Sequence, residues 1–296
     1  MRFAAIDIGS NAIRLLIKDI EVGNEGRLEE ERVAYYRVPL RLGTRVFDSG
    51  KISSSKATAL CKVMSAFKLL MEVQEVQHYR ACATSALRNA ENRWSIIERI
   101  QAESRIVVDN ITGEEEAQLI YENFRWLGSD RSEQLLTVDV GGGSTELTVL
   151  RGNERIAWKS FRIGTVRMLK KSVDAGEWKL MKQFLEEHLT QGPALVAGTG
   201  GNINRYHKLA RLKQEAYLNF ATLEEWVRRI EAVPLHQRST VFGLKVNRAD
   251  VIVPAGKIYL EVLRLSQLNE IWVPNVGLSD GIILRMAEGL LTPSKG

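Results

Sequence analysis

Cysteine is scarce in this chain: Cys61 and Cys82 are the only two among 296 residues. One falls in a helical pattern and the other in a strand pattern, so both are expected as buried free thiols rather than as a disulfide framework. Histidine is also sparse, and His78, His188, His207 and His236 show no metal-ligand spacing. No apolar run is long enough to span a membrane, and because the sequence opens directly in a strand pattern no signal peptide is expected. No membrane partner is expected, and a cytoplasmic location is. Helix-turn-helix, zinc-finger and aromatic RNA-binding signatures are missing too. No nucleic-acid partner is therefore expected, although a net charge of +5 and a pI near 9.2 favour an acidic one. The Asn110-Ile-Thr112 sequon has no use in a cytoplasmic chain.

What is present is the composition of an ordinary soluble globular protein, 45% hydrophobic and 26% charged. The length exceeds one typical domain. The short polar stretch Leu127 to Ser132 marks a boundary, giving domains 1–126 and 127–296, with the last helix able to pack back on the first domain.

The chain is organised around Val138 to Glu146, read Val-Asp-Val-Gly-Gly-Gly-Ser-Thr-Glu. An apolar run from Leu135 to Val140 delivers Asp139 to the end of a buried strand, and the glycines turn the backbone where side chains would obstruct it. Backbone N–H groups along such a turn form an anion-binding concavity, and Asp139 and Glu146 at its rim can hold a divalent cation. By itself the triplet fits an ordinary hairpin equally well. The pattern recurs, however, at Ala5 to Ile17, where an apolar run enters Asp7, turns through small residues and leaves as a second apolar run. Aligned on the aspartates, Gly9 matches Gly141, Ser10 matches Gly142, and Arg14 falls opposite Glu146. Two similar lobes are implied, each presenting a strand-turn-strand hairpin to a shared cleft, each opening with a three-strand meander.

Between the hairpins lie further candidates. Thr84 and Ser85 follow a strand at His78 to Ala83 and can cap the helix containing Trp94, with Arg88 at its start either a surface residue or a cleft residue. Gly113-Glu-Glu-Glu-Ala117 opens another helix. Thr112 with Glu115 fits a capping box, yet three glutamates exceed what capping needs, and one carboxylate there can orient a water. In the second lobe Arg162, Arg167, Lys170 and Lys171 gather near a helix entry. Gly198-Thr-Gly-Gly201 leads into a helix from Ile203 to Leu212 whose N–H groups can receive an anion. The Arg205, Lys208, Arg211 and Lys213 set on that helix is otherwise a solvated face.

Six stretches in this order resemble the exopolyphosphatase and guanosine pentaphosphate phosphohydrolase (Ppx/GppA) family of the actin, Hsp70 and sugar-kinase superfamily. They are Asp7-Ile-Gly-Ser-Asn11, Ala83-Thr-Ser-Ala-Leu-Arg88, Gly113 to Ala117, Asp139 to Glu146, Ala197-Gly-Thr-Gly-Gly201 and Gly277-Leu-Ser-Asp-Gly281. The resemblance implies an α/β fold of two ribonuclease-H-like lobes around a central cleft, in a short form without extra helical domains. It implies that Glu116 is the catalytic glutamate, that Asp139 and Glu146 hold magnesium, with Asp7 reaching it through water, and that Arg88 contacts phosphate. Gly9, Ser10, Asn11 and Arg14 then form the first phosphate loop and Gly141, Gly142, Gly143 and Ser144 the second, with Thr84 and Ser85 beside Arg88. Arg167, Gly200, Gly201 and Arg205 would contact the rest of the polyanion or nucleotide. The expected substrate is inorganic polyphosphate or guanosine pentaphosphate, cleaved hydrolytically with Mg2+ or another divalent cation by a homodimer. The alternatives are an ATP-dependent kinase or ATPase of the same superfamily and a non-catalytic polyphosphate or alarmone sensor. Two departures stand out: Ala12 where many members have serine, and Gly277-Leu-Ser-Asp-Gly281 in place of Gly-Leu-Arg-Glu-Gly, which removes a cation.

Overall fold

The computed structural model describes residues 1–23, 28–43, 46, 49–126, 134–152, 154–189, 194–211, 217–274 and 276–291. The elements in chain order are β1 (Arg2–Ile8), β2 (Ile13–Val22), β3 (Leu28–Val38), α1 (Ser54–Val73), β4 (His78–Ala83), α2 (Ser85–Arg88), α3 (Arg93–Ser104), β5 (Val108–Asn110) and α4 (Gly113–Trp126). They continue as β6 (Gln134–Val140), β7 (Thr145–Arg151), β8 (Glu154–Phe161), α5 (Thr165–Leu169), α6 (Ala175–His188), β9 (Ala194–Thr199), α7 (Gly201–Leu209) and β10 (Tyr217–Asn219). The last are α8 (Phe220–Glu231), α9 (Leu235–Phe242), α10 (Val246–Ala249), α11 (Ile252–Ser266), β11 (Glu270–Trp272) and α12 (Leu278–Leu291). Two compact units result, Met1–Trp126 with Gly277–Gly296, and Leu127–Val276.

In the first unit the sheet order is β3-β2-β1-β4-β5, with β1 antiparallel to β2 and parallel to β4. Phe3 to Ile8 is buried throughout, as a central strand covered on both faces must be, which is why its sequence reads as a continuous apolar run rather than an alternation. Helix α1 starts where the Ser53 hydroxyl accepts from the Lys56 amide, and it buries Ala57, Leu60, Cys61, Met64, Phe67 and Met71 at helical spacing. Helix α12 packs on α4, β1 and β2. A side chain at Gly281 would lie 1.7 Å from the Leu119 carbonyl oxygen, so only glycine permits that approach. Asp280 in its first turn meets the buried Lys18 ammonium at 2.7 Å and accepts from the Gly277 amide at 3.0 Å.

In the second unit the order is β10-β11-β9-β6-β7-β8. Read from the other edge, β8-β7-β6-β9-β11 repeats the order of the first sheet, with β10 added. The core is built from Leu136, Val138, Leu147, Val149, Val196, Ile258 and their neighbours, and the buried hydroxyls of Tyr206 and Tyr259 donate to the carbonyls of Ile252 and Thr199. Pro254 stands in the first turn of α11, where its missing N–H costs nothing, so it marks a helix start rather than a kink. The α/β class and the two ribonuclease-H-like units expected from the sequence are what the chain forms.

Some local expectations differ. The helix containing Trp94 does not run from Thr84. A short α2 ends at Arg88, and α3 begins separately after Asn92, whose side-chain amide is engaged by both backbone groups of Ile52. Thr84 makes no side-chain cap; its hydroxyl donates to the Ile8 carbonyl instead. Helix α7 runs from Gly201 to Leu209 rather than from Ile203 to Leu212. The boundary at Leu127 to Ser132, Lys213, Leu212, parts of the Gly43 to Gly50 loop, Asn275 and the tail from Thr292 lie outside the described residues.

Candidate active site

The two hairpins have the same register. In the first, Asp7 pairs across the strands with Arg14; in the second, Asp139 pairs with Glu146. The first pair is an ion bridge between the Arg14 guanidinium and Asp7 Oδ2. The second brings two carboxylates face to face, with oxygens within 4.8 Å of each other. Like charges directly opposite on a sheet repel, so this position costs stability unless a cation offsets it.

Behind each turn the carbonyls are tied back. The Ser10 and Asn11 carbonyls accept from the amides of Gly43 and Arg41 at 3.0 Å each. The Gly141 and Gly142 carbonyls accept from the amides of Thr165 at 3.0 Å and Val166 at 2.8 Å, and the Gly143 carbonyl accepts from Arg167 Nε at 2.8 Å. Because a trans peptide points its C=O and the next N–H in opposite directions, the amides of Asn11 and Ala12, and those of Gly142, Gly143 and Ser144, are aimed away from these anchors. Both turns thus leave a run of N–H groups pointing away from the anchors, the kind of donor set that can bind an anion. Gly164 makes the second anchor possible. A Cβ there would lie 2.5 Å from the Gly142 oxygen and the Gly143 carbon.

On α4, Glu114 is exposed, Glu115 half-buried and Glu116 buried. Ala117, Ile120 and Tyr121 face the interior and set this rotation. Thr112 accepts from the Glu115 amide as a capping box requires, but the Glu115 carboxylate turns to Arg80 at 2.6 Å rather than back to the cap. Glu116 Oε2 accepts from Arg88 at 2.9 Å, and the same Arg88 nitrogen donates to the Ile111 carbonyl. The structure therefore brings the expected glutamate and the expected phosphate arginine together as an ion pair within the first unit. Thr84 and Ser85 are buried beside them in sequence.

The remaining candidates are structural anchors as well. Arg205 donates to the carbonyls of Phe242 at 2.6 Å and Gly243 at 2.8 Å. Gly200 is the N-cap of α7, with its backbone against Asp139 Oδ1. Beside Gly201 the nearest guanidinium is that of Arg248, a residue the motifs did not single out. Two more were missed. The Thr199 hydroxyl donates to Asp139 Oδ1 at 2.8 Å and the Ser160 hydroxyl donates to Glu146 Oε1 at 2.9 Å, fixing the orientation of both carboxylates.

The donor set suits a hard divalent cation. Asp139 and Glu146 offer oxygen only, are pre-oriented by hydroxyls, and carry adjacent negative charge that such an ion would offset. In the first unit Asp7 Oδ1 is buried without a hydrogen-bond partner among the described residues, while Oδ2 holds Arg14. An oxygen of this kind is suited to a water on a metal.

The model of the Ppx/GppA phosphatase family matches residues 26–289. Exopolyphosphatase 2 of Mycobacterium tuberculosis is 27% identical over 97% of this chain and 98% of the relative. The guanosine-5'-triphosphate,3'-diphosphate pyrophosphatase of Vibrio parahaemolyticus is 23% identical over 97% of this chain but only 60% of its own length. Among solved structures, the Aquifex aeolicus Ppx/GppA family member superposes with a TM-score of 0.77 at 26% identity, covering 99% of each chain. An exopolyphosphatase from Cytophaga hutchinsonii shares the fold with a TM-score of 0.82 at 24% identity, covering 98% of each chain. With the family model spanning most of its length, this chain belongs to the Ppx/GppA phosphatase family and is a hydrolase.

Proposed function

We propose that the protein releases terminal phosphate from inorganic polyphosphate, guanosine pentaphosphate or both, in a Mg2+-dependent hydrolysis in which Glu116 orients or activates the attacking water. The observation that carries this reading is the pair of equivalent turns. Each aims backbone N–H groups outward, and one is flanked by a cation, Arg14, while the other is flanked by the carboxylates Asp139 and Glu146.

Phosphoanhydride cleavage asks little covalent work of a protein; it needs an in-line water and fixed positive charge and dipoles where charge builds on the transferring phosphoryl. The N–H groups of Asn11, Ala12, Gly142, Gly143 and Ser144 supply such dipoles without reorganising during the reaction. Arg14, held by Asp7, and Arg88 bind phosphate oxygens. Mg2+ held by Asp139 and Glu146 would supply charge neutralisation on the phosphates. Arg88 fixes the rotation of the Glu116 carboxylate, which accepts the water proton as the new P–O bond forms and the bridging P–O bond breaks. The products are inorganic phosphate and a chain one phosphate shorter. The supporting relatives are named for these two substrates, and buried free thiols at Cys61 and Cys82 suit the reducing cytoplasm we propose as its location.

The test is a substrate panel of polyphosphate, guanosine pentaphosphate and ATP with a small alcohol, each with Mg2+ and with EDTA. Phosphate release from either of the first two, abolished by EDTA, is the expected result. Tight binding of both without release would instead establish a sensor, and phosphorylation of the alcohol a kinase.

A further inference from the structure

We propose that Arg167 is a positioning residue for the phosphate turn, acting from behind it through its Nε–H rather than on substrate through its charge. The inference rests on the hydrolase reading and deepens it. Arg167 is only 7% exposed, and its Nε donates to the Gly143 carbonyl at 2.8 Å in a buried hydrogen bond. It completes a row of three anchors: the Thr165 amide on Gly141, the Val166 amide on Gly142, and Arg167 on Gly143. Without the third, the peptide between Gly143 and Ser144 loses the hydrogen bond that orients its carbonyl, and Gly143 carries no side chain to restrain it. That peptide contributes the Ser144 N–H to the anion concavity. Its carbonyl would turn toward the phosphate, and a donor would become a repelling dipole. The Thr145 hydroxyl, donating to the Ile163 carbonyl at 2.6 Å, ties the next strand residue to the same segment, so the brace and the turn are one local unit.

The two roles for Arg167 separate by chemistry. Glutamine places its amide nitrogen the same number of bonds from Cα as arginine's Nε, keeping the donor and removing the charge. Lysine keeps the charge but carries its nitrogen one bond farther. Methionine keeps the length and neither property. Positioning predicts that Arg167→Gln stays within a few-fold of wild type in kcat, while Arg167→Met and Arg167→Lys fall by about a hundredfold, the scale for misplacing a catalytic element by about 1 Å. It also predicts the same loss on tripolyphosphate as on long chains, at low and high salt. The reverse ranking, with Arg167→Lys active, Arg167→Gln impaired, and a defect in KM that grows with chain length and shrinks with salt, would overturn the proposal and make Arg167 a polyanion contact. Equal activity in all variants would overturn it too. If Arg167→Met does not fold, the Gln and Lys variants decide by themselves. If wild type hydrolyses none of the substrates, the hydrolase reading has failed. Tripolyphosphate affinity by calorimetry then decides the positioning claim, with the same ranking expected and the reverse ranking against it.

Discussion

Replacing Gly164 by alanine tests the idea that the glycine turn is held in place by what packs behind it. The backbone at Gly164 has φ −144 and ψ 161, an extended conformation open to any residue, so alanine brings no dihedral strain. The obstacle is space. A methyl carbon would lie 2.5 Å from the Gly142 oxygen and the Gly143 carbon, against 3.4 Å for ordinary contact, so the turn and the segment behind it must separate by about 0.9 Å. Such a shift stretches the bonds from Thr165 to Gly141 and from Val166 to Gly142 and re-aims the outward amides. Overpacking of this kind costs about 1–3 kcal/mol, and a displacement near 1 Å costs about a hundredfold in turnover. The assay is steady-state phosphate release from polyphosphate alongside thermal melting, with Gly289→Ala as a control. Gly289 lies on α12 with nothing within 4 Å of its Cβ position, so alanine there should be neutral or slightly stabilising. Wild-type turnover in Gly164→Ala, or a loss that merely follows the unfolded fraction, would show that packing behind the turn does not set its geometry.

Glu146→Gln removes one of two facing carboxylates, so without Mg2+ it should be stabilised by about 0.5 kcal/mol. Added Mg2+ should raise the melting temperature of wild type and not of the variant; an equal rise in both contradicts the assignment. Among the described residues, Asp280→Ala leaves the buried Lys18 with only its outer partner Glu30. It should cost about 3 kcal/mol, read as a lower urea midpoint, and an unchanged midpoint would show that the pair does not hold α12. Burial pushes the Cys82 thiol up to about 12, from an ordinary 9.0. A raised folded-state value stabilises fully below pH 9 and is lost as pH rises toward 12, by about 1.4 kcal/mol per unit. Lys18 loses stability in the same direction: burial would lower its pKa, but Asp280 and Glu30 raise it above normal. Between pH 8 and 10.5, wild type should therefore lose about 2 kcal/mol that Cys82→Ala retains; parallel pH curves would contradict this.

The hairpins were legible because their chemistry is local. Asp7 and Arg14, like Asp139 and Glu146, are seven residues apart around a tight turn, which fixes them as cross-strand partners. The central strands were legible because burial on both faces leaves continuous apolar runs. The supports were not. Counting back from the Arg151 and Glu154 pair would set Lys159 opposite Glu146, but an irregularity between Val149 and Leu150 shifts the register by one and puts Ser160 there. Helical spacing showed Arg205 on a basic face but not that its guanidinium is engaged by carbonyls some 37 residues onward. Strand β10, three residues long, is too short to show a period. Asp280, in the stretch that departs from the usual family pattern, is used for packing: it pairs with Lys18 and caps Gly277.

The claim that Glu116 manages the water is tested most directly by Glu116→Gln, which keeps the shape of the side chain and a partner for Arg88 while removing the base. Phosphate release and polyphosphate affinity should be measured on the same preparation with Mg2+. A fall in kcat of about 10²- to 10⁴-fold is expected, with the dissociation constant for polyphosphate within a few-fold of wild type. Undiminished turnover, or binding lost in step with turnover, would contradict the claim.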